Sequence, residues 1–327
     1  MKKQGKDEHL SMKYAYMPEG SLIYSAENIQ ALSSLPSLEK AMREGKILEG
    51  MATMCDSSLS LHVDLGAIEG VIPREECVLA SDGEEIKDIA IITRVGKPVC
   101  FKILAIEPRG NTYRAILSRR RAQAECKSFY LSSLLPGDIV PATITHLESF
   151  GAFVDVGCGM ISLLSIDCIS VSRISHPCDR LSVGSKINVV IRSNDAESGR
   201  IYVTLKELLG TWSENARAFS VGQTVTGIVR SVESYGVFVE LSPNLAGLAE
   251  LKDERASSRP CAGQGAAVFI KSIIPERMKI KLVLINTYPS PPTPPSLKYY
   301  VDVKSVSHLD SWRYSPDECE RIIETVF

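Results

Sequence analysis

The 327-residue chain is 44% apolar and 23% charged, with a formal net charge of −2, the composition of a soluble protein large enough for two or three domains. That balance excludes a broadly cationic condenser of nucleic acid, so any nucleic acid must be held by local cations and stacking. No apolar run is long enough to span a membrane, and the charged opening MKKQGKDEHLSMKY has no apolar core behind it; a cytoplasmic protein without signal peptide or spanning segment is expected.

Residues 1–24 are polar and read as an arm. Ser25 can cap a short helix over 26–33, and Pro36-Ser37 can begin a second over 38–44 that Gly45 ends. Residues 1–44 thus form an extension ahead of a first unit at 45–119. That unit carries an acidic cluster, Glu75, Glu76, Asp82, Glu84, Glu85 and Asp88, which would repel phosphate. Arg119, Arg120 and Arg121 lead into a linker helix over 120–136, where they are either a phosphate grip between two units or a solvated face.

The second unit, 137–206, opens on GDIVPATITHLESFGAFVDVG. Its alternation predicts strands. Gly151 permits a bulge or kink that would bring Phe150 and Phe153, three positions apart, onto one surface. Two such rings are either a stacking platform for unpaired bases or barrel core. Repetition favours the platform: the third unit, 221–285, reads GQTVTGIVRSVESYGVFVEL and places Tyr235 and Phe238 at the same offsets. In a weaker first copy, Leu59 and His62 stand in for the rings, Asp64 and Gly66 match Asp155 and Gly157, and Arg114 matches Arg200. The first unit therefore reads as a protein-docking or spacer barrel. Three repeats of five short strands predict a mainly β chain of three tandem five-stranded OB-fold barrels with short connecting helices.

Gly137-Asp138, Phe150 to Val154 and Gly199-Arg200-Ile201 resemble the RNA-binding repeat of the bacterial ribosomal protein S1 family. The resemblance covers roughly 45–285, and the chain looks like the short, three-repeat form. It implies an RNA face made by Phe150, Phe153, the position of Ser165 (often histidine in the family) and Arg200. In the third unit it implies Tyr235, Phe238 and Lys279, with Glu250 at the Ser165 position. From the residues themselves, His176 and Arg173 in the long connection can reach the same groove, and Lys271 is one of eight cations in unit three against six acids. Lys186, Arg192 and Lys206 are further candidate phosphate contacts. Asp155 and Asp195 are isolated acids beside turns and read as turn-formers rather than metal ligands.

In the linker 207–220, Gly210 reads as a C-cap, Thr211 with Glu214 as a capping box, and Trp212 as a wedge between units two and three or, alternatively, a base-stacking group. The segment 286–327 reads as a proline-rich spacer (Pro289, Pro291, Pro292, Pro294, Pro295), a strand over 297–303, and a tail helix over 316–326 capped by Ser315. Trp312 and Tyr314 suggest that this tail folds back. Nine scattered cysteines and five histidines show no metal-ligand spacing, so neither metal nor cofactor is expected. No constellation for catalysis is visible, and an enzyme is not expected. The resemblance implies single-stranded RNA, including mRNA, and the small ribosomal subunit as partners; the alternative is a protein adaptor that meets RNA incidentally. The sequence leaves the oligomeric state open.

Overall fold

Three times along the chain a long strand with one break in its pairing begins a barrel. The computed structural model describes residues 16–80, 85–195, 199–250, 260–289 and 297–327. Barrel one is β1 (Leu48–Cys55), β2 (Leu61–Asp64), β3 (Glu69–Ile72), β4 (Pro98–Arg109) and β5 (Thr112–Ser118). Barrel two is β6 (Ile139–Glu148), β7 (Gly151–Asp155), β8 (Ile161–Ser165), β9 (Lys186–Asp195) and β10 (Arg200–Thr204). Barrel three is β11 (Thr224–Glu233), β12 (Gly236–Ser242), β13 (Leu245–Glu250), β14 (Gly265–Ile274) and β15 (Lys279–Tyr288). Each is a closed five-stranded barrel in which the third and fifth strands run parallel and every other pairing is antiparallel. This is the Greek-key order expected of an OB fold.

Alternation fills the barrels. In barrel two Ile144, Ala152, Val154, Leu164, Val189, Ile191 and Val203 point inward and are buried. Each fully buried Val, Leu or Ile among them contributes about 1.5–3 kcal/mol. The N-terminal helices Ala26–Leu32 and Leu35–Arg43 start where Ser25 and Ser34 accept bonds from the amides of Asn28 and Ser37. The second lays Leu38 and Ala41 into the core of barrel one. The acidic cluster of that barrel is partly neutralised: Arg120 and Ser118 bind Glu76, and Arg74 pairs with Asp88. Asp82 and Glu84 lie outside the described residues.

Buried ion pairs join the barrels. The linker helix Arg119–Ser133 starts with Ser118 as its cap, but Arg119 is no phosphate grip. It is buried, with Nε 2.6 Å and Nη2 2.9 Å from the Glu19 carboxylate. Burial alone would raise the Glu19 pKa, yet the Arg119 guanidinium holds it below the ordinary value. Of the three arginines only Arg121 is exposed and free of an ion pair among the described residues. At the second junction, Arg180 of barrel two's long connection is buried against Glu240 of β12, which also receives Arg230 Nε at 2.7 Å.

Gly210 adopts φ +84 and Thr211 with Glu214 closes the capping box of a helix over Trp212–Ala216. Trp212 is 3% exposed and packs with Trp312 and Tyr314 in the core of barrel three, rather than standing ready for a base. The tail departs from expectation. No helix forms over 316–326; Ser311–Arg313 and Glu324–Val326 pair as two short strands. The reason lies at Ser315, whose hydroxyl accepts from Ile323 N and donates to Arg321 O, so it closes a loop instead of capping a helix. The expected strand over 297–303 is also absent. That segment is irregular, tied by Asn188 N donating to Tyr299 Oη and Tyr300 N donating to Leu208 O. Further on, Ile139 N donates to Ser307 O and Tyr314 Oη donates to Asn244 O. The tail therefore runs from barrel three back over barrel two and then returns to barrel three. Pro291, Pro292, Pro294, Pro295 and the N-terminal charges Lys2 to Glu8 lie outside the described residues.

Candidate nucleic-acid interface

The strand register places the repeated aromatics at one address. Phe153 pairs across to His146 on β6 and to Leu163 on β8, and Leu163 pairs with Tyr202 on β10. The same row in barrel three is Ser231, Phe238, Leu248 and Lys281. In barrel one it is Met54, His62, Val71 and Ile116. Side chains of one such row share a face, here the outer wall of each barrel.

Phe150 reaches that face because it precedes β7 and is free of strand alternation; its carbonyl accepts from Ile166 N. Its ring is 53% exposed and meets Phe153 edge-on, with centroids 6.0 Å apart at 90°. Tyr235, 63% exposed, meets Phe238 at 6.2 Å and 90°. The rings are thus perpendicular rather than side by side, so a base stacked on one meets the edge of the other, a favourable aromatic geometry. The expected bulge is real but lies elsewhere: it falls between Ile144 and His146 on β6, and recurs between Val229 and Ser231 and between Ala52 and Met54. Gly151 serves a different need, since a Cβ there would sit 2.6 Å from Leu164 O.

That bulge turns Thr145 aside, its hydroxyl bonded to Phe153 O, and sets His146 beside Phe153. The imidazole stacks at 6.3 Å and 26° on the Phe153 ring, while its Nε2 lies 2.7 Å from Glu148 Oε1. Neither His146 nor Tyr202 is marked as a site residue by sequence spacing, because an unpaired extra residue in β6 is invisible to a period-two pattern. Internal alignment of the three registers is the signal that finds them.

Ser165 lies across from Gly151 at the end of β8, half-buried, and Glu250 ends β13 in the corresponding place. Arg200 and Lys279 both open the fifth strand of their barrels and are exposed, as is Lys271 on β14. Arg173 is exposed in the long connection of barrel two, but His176 is committed locally, its Nδ1 accepting from Cys178 N. Lys186 is exposed, Arg192 Nη1 lies 3.1 Å from Cys168 Sγ, and Lys206 Nζ lies 3.5 Å from Asp167 O. Of the unit-three cations, Lys252, Arg255 and Arg259 lie outside the described residues.

The face of barrel one has different chemistry. Leu59 and His62 do occupy the ring positions, but His62 is held between Glu69 at 2.7 Å and Asp56 at 3.1 Å. Burial works against its charge, yet the two carboxylates outweigh burial and raise its pKa. Arg109 and Arg114 close the network on Glu69. Asp155 forms a turn, accepting from the amides of Gly157 and Gly159 and also of Glu19. Among the described residues no cluster of His, Cys, Asp or Glu fits a metal ion, and Cys55, Cys77, Cys100, Cys126, Cys158, Cys168, Cys178 and Cys319 form no disulfide there. No helix among them is long and apolar enough to cross a membrane.

Residues 134–206, which enclose barrel two, match the family model described as the S1 RNA binding domain. The chain is similar to the small ribosomal subunit protein bS1 of Staphylococcus saprophyticus, 29% identical over 283 residues that cover 83% of this chain and 69% of the relative. It is 31% identical to bS1 of Leuconostoc lactis over 235 residues, 68% of this chain and 52% of that one. A solved Streptococcus pneumoniae multidomain protein with nucleic acid binding domains aligns over 74% of each chain, at 15% identity and a TM-score of 0.24.

Proposed function

We propose that the protein holds single-stranded RNA, mRNA in particular, on the outer faces of barrels two and three, in association with the small ribosomal subunit in the cytoplasm. The observation that carries this reading is the recurrence of one exposed, edge-to-face aromatic pair at one register address in both barrels. The match of 134–206 to the S1 RNA binding domain and the similarity to bS1 proteins support it.

Phe150, Phe153 and His146 stack bases at barrel two, and Tyr235 and Phe238 do so at barrel three. Arg200, Arg173, Lys271, Lys279 and Lys281 draw phosphates, while Ser165 offers a hydroxyl and His176 a second imidazole beside the groove. Stacking contributes on the order of 1–3 kcal/mol per base and is indifferent to sequence. The proposed units are 137–206 and 221–285 as RNA holders and 45–119 as a docking barrel, with no catalytic step. For the docking role the specific observation is barrel one's closed His62 network with exposed Met54 across from it, together with exposed Ile89 and Ile92 on the barrel's long connection.

The test is fluorescence anisotropy of a labelled single-stranded 20-mer RNA against wild type and Phe150→Ala/Phe153→Ala. A loss of about 2 kcal/mol, roughly thirtyfold, is expected. Unchanged affinity would remove barrel two from the account.

A further inference from the structure

The aromatic face of barrel two does not end at Phe153. It runs into a cleft of 610 Å3 between barrels one and two, whose walls include Thr143, His146 and Phe153 on one side and Thr93, Arg94 and Lys97 on the other. The second wall is the end of barrel one's long connection, leading into β4. Resting on the RNA reading above, we infer that this cleft takes the next nucleotide of the strand stacked on Phe153, with Lys97 and Arg94 receiving its phosphate.

Charge decides the ligand class. Two carboxylates also lie in the cleft, but Glu19 is paired with a cation and Asp155 is buried, desolvation pushing its pKa up to about 7. Glu19 is bound by Arg119 and by Cys100 N, and Asp155 by three backbone amides. What remains turned outward is cationic: Lys97 is exposed with no ion pair among the described residues, and Arg94 touches Glu19 only through Nη1, at 3.5 Å. Two buried polar atoms of the walls have no partner among the described residues, Arg94 Nε and Thr143 Oγ1. Both atoms are closed off from solvent, so what a nucleotide meets in the cleft is the exposed Lys97 and the exposed part of the Arg94 side chain. The volume falls within the range of about 300–1,000 Å3 of small-ligand sites. Apolar Ile161 and Val183 line the same opening and suit the face of a base. Barrel one, whose own face lacks the rings, would thus contribute to RNA binding through its connection.

The experiment uses the full chain with Lys97→Ala and Lys97→Glu, a labelled single-stranded U20, and anisotropy at several salt concentrations, with Phe150→Ala/Phe153→Ala in parallel. Loss of one phosphate contact should lower the slope of log K against log salt by about one in Lys97→Ala. Lys97→Glu should weaken binding about tenfold. A 4-thiouridine-substituted U20 should crosslink within residues 93–98. Wild-type slope, affinity and no such crosslink, while the Phe150/Phe153 variant binds weakly, would overturn the cleft and leave the platform standing. If all variants bind as wild type, the platform reading itself falls. Loss of the 93–98 crosslink on adding uridine monophosphate, with anisotropy unchanged, would overturn the strand path in favour of a free-nucleotide site.

Discussion

Glu240 lies at the centre of the junction between barrels two and three, and its two arginines are not equivalent. Arg180 has side-chain exposure of only 1%, and among the described residues its side chain bonds Glu240 alone, with Nε and Nη1 unpaired. Glu240 itself is doubly held, by Arg180 and by Arg230 through Nε at 2.7 Å and Nη2 at 3.4 Å. Glu240→Ala therefore strands a buried guanidinium, a loss of about 3–5 kcal/mol. Arg180→Met removes one charge-assisted bond while Arg230 still neutralises the carboxylate, and the methionine stem preserves packing. That costs about 1.5–3 kcal/mol. The chain offers a local reporter for the difference. Both of its tryptophans, Trp212 and Trp312, lie in the core of barrel three. Urea unfolding followed by tryptophan emission should show Glu240→Ala lowering the midpoint clearly more than Arg180→Met, with far-UV circular dichroism confirming that the other barrels remain folded. An Arg180→Met variant as damaged as Glu240→Ala, or more so, would refute the asymmetry and with it this reading of the junction.

Two other perturbations test the packing around the site. Glu49 is buried under the N-terminal segment, where Oε2 accepts from the amides of Gly20, Leu22 and Ile23 but Oε1 has no partner among the described residues. Desolvation pushes its pKa up to about 7. The folded state therefore keeps a proton that the unfolded chain releases near 4.5. Its contribution to stability is present at low pH and fades as pH rises through 7, by up to about 3 kcal/mol. Urea midpoints measured from pH 5 to 8 should decline in wild type and decline less in Glu49→Gln; parallel profiles would contradict the assignment. At the ring pair, Gly151→Ala forces a Cβ toward Leu164 O and should cost about 1–3 kcal/mol by urea denaturation. A neutral Gly151→Ala would mean that β7 and β8 can move apart freely.

Much of this architecture is legible in the sequence because its signals are local or repeated. Opening glycines, alternating apolar residues and the paired rings at fixed offsets recur in 137–206 and 221–285, and the register of β7 and β12 follows them residue for residue. The caps at Ser25 and Thr211 are legible because a helix start depends on three or four neighbouring residues. What escapes is decided at long range. Arg119 looks like a surface cation until Glu19, 100 positions away, is placed against it. Ser315-Pro316-Asp317-Glu318 has every local mark of a helix start, yet pairing of 311–313 with 324–326 takes the serine for a loop. His146 joins the site through a bulge that pattern reading places one strand too late.

On the proposed function, two aromatic pairs, not the general charge of the chain, hold the RNA. The most direct measurement is the affinity of a single-stranded 20-mer RNA for the variant with Phe150, Phe153, Tyr235 and Phe238 all replaced by alanine. Its fold should be verified by circular dichroism and the salt slope recorded alongside. Expected is a folded protein whose affinity falls by at least about a hundredfold while the salt slope stays near that of wild type. A folded variant that binds RNA within threefold of wild type would contradict it.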